Sequence, residues 1–154
     1  MKEFQIDKVK FKDGRTTIRY TEPVSGDEYE INSIDPAKPE FIQALQFLLE
    51  DVLDMCELDD QECLDKYFVS GVSFSHGNRE GATITALKTL DNSNAPLVLN
   101  TPHKFFEGDD PKSILTDACI KRLNNLAMRA NEYISGERAQ GNLFNFPDKS
   151  AVGK

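Results

Sequence analysis

The chain has 154 residues, 39% of them hydrophobic and 29% charged, and carries a net charge of −8. This balance excludes wholesale disorder and fits one domain able to bury a core without metal or disulfide staples. No apolar run approaches the roughly 18 residues of a membrane span, and the start MKEFQIDKVKFKDG reads as a strand rather than a leader peptide, so a cytoplasmic setting is expected.

The first predicted elements are a hairpin. Phe4, Ile6, Val9 and Phe11 precede Asp13-Gly14, and Thr16, Ile18 and Tyr20 follow it, which is strong two-residue turn chemistry between two strands. The apolar phase slips between Ile6 and Val9, so a bulge is expected near Asp7-Lys8. After Pro23 and Ser25-Gly26-Asp27, the residues Tyr29, Ile31 and Ile34 suggest a third strand. Asp35-Pro36 or Lys38-Pro39 then opens a helix, because proline is tolerated in a first turn. Phe41, Leu45, Leu48, Leu49, Val52, Leu53 and Cys56 keep helical spacing through about four turns, ending near Leu58-Asp59-Asp60.

A second β unit follows. The run from Tyr67 to Phe74 and that from Ala82 to Leu87 are strand-like, with His76 to Gly81 as their loop. Asp91-Asn92-Ser93-Asn94 has turn composition, and Leu97-Val98-Leu99 is a short strand stopped by Thr101-Pro102. Asp109-Asp110-Pro111 predicts the start of the last helix, whose stripe is Leu115, Cys119, Leu123, Leu126, Ala130 and Ile134, with Gly136 as a left-handed cap. The expected fold is α+β, in the order βββ-α-βββ-α: two antiparallel β units with two helices packed on sheet. It spans residues 1–136 as a single domain, followed by a C-terminal tail, 137–154.

Motifs for catalysis are lacking. There is no Walker A sequence, no G-x-G-x-x-G pattern and no G-x-S-x-G elbow, so no cofactor is expected and the chain reads as a non-enzyme. Ser75 and His76 are adjacent on a strand and point to opposite faces, which spoils a nucleophile–base pair. His103 lies in a proline-broken loop that Phe105 and Phe106 pin to the core. Cys56, Cys63 and Cys119 are odd in number and form no C-x-x-C pair, and only His76 and His103 are present to join them, so no zinc site is expected.

Charge is unevenly distributed. Thirteen acidic residues lie between Asp27 and Asp65 and only Lys38 opposes them, which disfavours direct, tight binding of DNA or RNA by the body of the domain. The face bearing Glu50, Asp51, Asp54, Glu57, Asp59 and Asp60 is most simply a solvated helix surface. Its sharper alternative is a mimic of nucleic-acid charge that inhibits a host nuclease or defence enzyme, as a counter-defence protein would.

The tail offers a linear motif. Gln140-Gly141-Asn142-Leu143-Phe144 resembles the pentapeptide by which bacterial polymerases and repair proteins bind the β sliding clamp. The resemblance implies Gln140 as a polar anchor and Leu143 and Phe144 as occupants of a hydrophobic pocket, with Phe146 as a further aromatic. Gly141 and Asn142 depart from the residues usual at those places, which implies a weaker ligand. Burying a Leu and a Phe contributes about 1.5–3 kcal/mol each, so a solitary contact reaches at most the micromolar range, about −8 kcal/mol. The runs VSGVSFSH, ALKTLDNSNAPLVLNTPHK and RAQGNLF are similar to small phage and prophage proteins of replication or recombination gene neighbourhoods, over about Met1 to Phe144. That resemblance implies a bacterial cytoplasm containing a sliding clamp and carries no catalytic role.

Overall fold

Asp13 and Gly14 both adopt left-handed backbone, φ 54° and 75°, as a two-residue hairpin turn requires. They join β1 (Gln5–Lys12) to β2 (Arg15–Thr21), in a register that sets Lys12 opposite Arg15 and Val9 opposite Ile18. The register shifts between Ile6 and Lys8, so Asp7 is the expected bulge, and the extra residue returns Ile6 and Val9 to one buried face. The Asp7 carboxylate accepts from Thr21 Oγ1 at 2.6 Å. β3 (Glu28–Ser33) pairs antiparallel with β2; Ile34 falls beyond it and is exposed. The computed structural model describes residues 3–138.

The two β units are one sheet. β4 (Tyr67–Ser75) pairs with β5 (Gly81–Lys88) and also with β1, and β6 (Leu97–Asn100) and the two-residue β7 (Lys104–Phe105) both pair with β5. The strand order is β3-β2-β1-β4-β5-β6, antiparallel throughout, with β7 off that path. Gly71 makes the β1–β4 junction tight: a Cβ there would lie 2.6 Å from the Val9 carbonyl oxygen.

The single long helix expected from Phe41 to Cys56 is in fact two. α1 (Pro39–Gln46) starts at the second of the two proline signals, and α2 (Leu49–Met55) follows after a turn at Phe47-Leu48. Leu48 N donates to Leu45 O at 3.2 Å, a three-residue closure tighter than the α-helical one. Gln46, the last residue of α1, is held at the break. The β1–β4 ladder ends at Lys10 and Gly71, and beyond it the Gln46 amide takes both backbone groups of Val69, at 2.8 and 2.9 Å. The apolar stripe survives the interruption: Phe41, Leu45, Leu48 and Val52 are all buried, while Phe47 is turned to solvent.

The last helix also begins later than its first signal. Asp110 caps only a 3₁₀ turn, Pro111–Ser113. The chain then extends to bring Leu115 into the core before Thr116 caps α3 (Asp117–Ile134), its hydroxyl accepting from Cys119 N at 3.1 Å. Both caps are genuine N-cap chemistry; the second is the one whose register buries Cys119, Leu123, Leu126, Ala130 and Tyr133. Gly136 closes the helix with φ 97°, and the pair Gly136 N to Tyr133 O and Glu137 N to Glu132 O is a Schellman cap. The α-helices bury one side of the sheet, where Ile6, Val9, Ile18, Val69, Val72 and Ile84 meet Leu45, Leu48, Leu123 and Leu126 in one cluster. No described helix is long and apolar enough to cross a membrane.

Candidate functional site

Gln140, Leu143, Phe144 and Phe146 lie outside the described residues. The chain leading to them is anchored at Arg138, which donates to Asp35 Oδ2 at 2.6 Å and to Tyr133 O at 3.2 Å and stacks its guanidinium 4.1 Å from the Tyr133 ring centre.

The six acidic residues of the α2 region do not form one free surface. Asp51 is buried and takes Arg122 Nη1 at 2.9 and 3.0 Å, while Arg122 Nη2 reaches Glu50 at 3.2 Å. Burial pushes the Asp51 carboxyl above the usual carboxylate range, although the Arg122 hydrogen bond and charge pull it down. Burial, with the nearby Asp51 charge, raises the Cys119 thiol to about 12, so this cysteine is inert. Asp60 accepts from Lys88 Nζ at 2.7 Å and from the Tyr67 hydroxyl at 2.6 Å, and those two hydrogen bonds hold its carboxyl below the ordinary range. Asp54, Glu57 and Asp59 are exposed. Half of the proposed mimic surface is therefore spent on internal pairing.

The two histidines are separated. His76 places Nε2 2.9 Å from Ile6 O and Nδ1 3.3 Å from Glu80, on the wall of a cavity of about 440 Å³ that Phe4, Phe74, Phe106 and Met128 also line. Ser75 does meet a histidine, but it is His103: Ser75 Oγ lies 2.9 Å from Nε2, and Thr83 Oγ1 lies 3.0 Å from Nδ1. Gly81 permits the approach, since a Cβ there would lie 2.7 Å from His103 Nε2. A serine beside an imidazole is the start of a nucleophilic site, yet the orienting partner on the other nitrogen is a threonine hydroxyl where such triads use a carboxylate. The trio ties the β7 loop to the sheet. Among the described residues, no three His, Cys, Asp or Glu side chains stand together as a metal site.

The most distinctive charged feature is on the sheet face opposite the helices. Lys8, Lys10 and Lys12 alternate along β1, and register places Arg19 opposite Lys8 and Arg15 opposite Lys12. Like charges directly across a ladder are destabilising. Lys10, Lys12, Arg15 and Arg19 are exposed. Arg19 reaches Glu30 at 3.7 Å with both side chains about half exposed, and Arg15 donates to Asn32 at 2.9 Å. Among the described residues, the three lysines have no acidic partner within ion-pair distance. The cation row is flanked by two shallow depressions: one of about 290 Å³ lined by Lys10, Lys12, Arg15, Thr17 and Asn32 and also by the acidic Asp13, and one of about 190 Å³ holding Lys8, Lys10, Ser73 and Thr85.

Summing charge along the chain hides this face. The signal that finds it is alternation, K-x-K-x-K inside a strand, read together with the arginines that the Asp13-Gly14 turn brings opposite. Fold and surface together define a small α+β protein with one sheet face buried under helices and the other open, with a cation row along β1 and Glu28 and Glu30 beyond it on β3. No family model, curated protein or solved structure matches the chain.

Proposed function

We propose that this is a non-enzymatic phage accessory protein of the bacterial cytoplasm that docks on the host's β sliding clamp through Gln140, Leu143 and Phe144, with Phe146 adjoining. The observation that carries the reading is the sequence Gln140-Gly141-Asn142-Leu143-Phe144, which starts two residues beyond Arg138. Support comes from the helix end: a Schellman cap at Gly136 and the Arg138 anchor on Asp35 and Tyr133 stop α3 and hold the segment's root against the domain. The clamp is a closed ring with repeated sites, so several copies gain from multivalency.

Titration calorimetry of the full chain against a bacterial sliding clamp tests this. Leu143→Ala/Phe144→Ala is expected to weaken binding by roughly a hundredfold, because two apolar side chains at about 1.5 kcal/mol or more each amount to two decades of affinity. Equal heats from both proteins, or none from either, refute the docking. The acidic mimic of a nucleic acid has less support, because Asp51, Glu50 and Asp60 pair with Arg122 and Lys88, leaving Asp54, Glu57 and Asp59 exposed without such a pair among the described residues.

A further inference from the structure

We propose that the open face of the sheet across β1 and β2 binds single-stranded nucleic acid through its phosphate backbone. This is independent of the clamp reading. It starts from a cost the fold retains: among the described residues, Lys12 stands opposite Arg15 with no carboxylate on either, and Lys8 stands opposite Arg19, which has only the half-exposed Glu30 at 3.7 Å; an anion there would turn repulsion into attraction. On the helix side the chain does the reverse and matches cations with carboxylates, as in Arg122 with Asp51, Lys88 with Asp60 and Arg129 with Glu132.

Shape and spacing select the occupant. Alternate residues on a strand recur about every 7 Å, so Lys8, Lys10 and Lys12 form a straight row of cations on the scale of successive phosphates along an extended strand. Neutral donors border the row: Thr17 and Asn32 on one side, Ser73 and Thr85 on the other. At the Lys12 end lies a depression of about 360 Å³ in which Phe68, Leu87, Leu90 and Pro96 supply apolar surface. A ring such as Phe68 beside a cation row is the combination that non-specific single-strand binding uses, backbone neutralisation with base stacking. A second copy of the chain is the competing occupant, since its Asp54, Glu57 and Asp59 are exposed; the regular spacing of the row and its bordering donors favour a nucleic-acid strand.

The test is fluorescence anisotropy of a labelled oligothymidylate of about twenty nucleotides with the full chain and no clamp present. Binding is expected at low salt, with log K falling against log salt at a slope of about −2 to −3, the value for three or four neutralised phosphates of a single strand. Lys8→Gln/Lys10→Gln/Lys12→Gln is expected to bind at least tenfold more weakly. The milder Lys10→Gln/Lys12→Gln, at two exposed positions, keeps its fold by circular dichroism and still loses several-fold. Lys121→Gln, an exposed cation on α3, changes nothing, and Leu143→Ala/Phe144→Ala binds the oligonucleotide like the parent, which separates this outcome from failure of the clamp reading. Four results would overturn the proposal. They are no binding at low salt, parental binding by the lysine variants, tighter binding to a duplex or to phosphatidylserine vesicles, or self-association of the parent that the lysine variants lose.

Discussion

The two faces of the sheet treat charge in opposite ways. Under the helices, the buried carboxylate of Asp51 has a guanidinium at 2.9 Å, and at the far end Asp60 has an ammonium at 2.7 Å. On the open face only Arg19 has a carboxylate, Glu30 at 3.7 Å with both side chains half exposed, while Lys8, Lys10, Lys12 and Arg15 stand together with none at ion-pair distance among the described residues. The difference follows from the dielectric. An unpaired charge taken out of water costs several kcal/mol, so the covered face must neutralise each one. A repulsive pair in water costs a few tenths of a kcal/mol to about 1, small enough for a functional surface to keep.

Substitutions on the two faces should therefore differ by an order of magnitude. The largest effect is expected from Leu123→Ala, at a fully buried α3 position facing the sheet, which should lower unfolding free energy by about 2–5 kcal/mol in a urea melt. Arg122→Met comes next. It leaves Asp51 buried without its cation and should cost about 3 kcal/mol at neutral pH. Removing the cation raises the Asp51 pKa further, so the protonated form is favoured in the fold, and the deficit should shrink as pH falls; a deficit independent of pH breaks the account.

Asp60→Asn should have a smaller effect with a defined pH window. The folded-state carboxyl titrates below the ordinary aspartate range, so its contribution is present above that range and is lost as pH falls through the lower folded pKa. Melting temperatures of parent and variant should differ at neutral pH and converge in acid. The smallest effect belongs to the open face. Lys12→Thr removes one member of the Lys12–Arg15 pair and should be neutral or stabilising by a few tenths of a kcal/mol in low salt, with the gain fading as salt screens it. A loss above 1 kcal/mol would mean that Lys12 has a structural partner and that the two faces are not distinct in the way described.

Local features were the most legible in the sequence. Asp13-Gly14 specifies its turn by backbone preference alone, the Ile6–Val9 phase slip marks the Asp7 bulge, and Gly136 marks the end of α3. The structure departs from the local pattern where two local signals compete. Asp110-Pro111 and Thr116 are both sound helix starts, and only the need to bury Leu115 before the helix and Cys119 within it decides between them. The break at Phe47-Leu48 has no local signal, and the contact beside it joins Gln46 to Val69, twenty-three residues away along the chain.

The candidate surfaces divide along the same line. The linear motif at Gln140, Leu143 and Phe144 is readable from adjacent residues. The Ser75–His103–Thr83 trio joins a strand to a distant loop, and adjacency pointed instead to the unproductive neighbour His76. By itself the sequence determined what is encoded over a few consecutive residues: strand alternation, turn chemistry, helical stripes and hence the α+β class. Tertiary structure alone decided that β1 joins β4, which fuses two β units into one sheet, and that Glu50, Asp51 and Asp60 are drawn into pairs while the β1 lysines share an open face. The reason is that pairing and burial depend on distances between residues far apart in the chain, and those distances exist only once the sheet has closed.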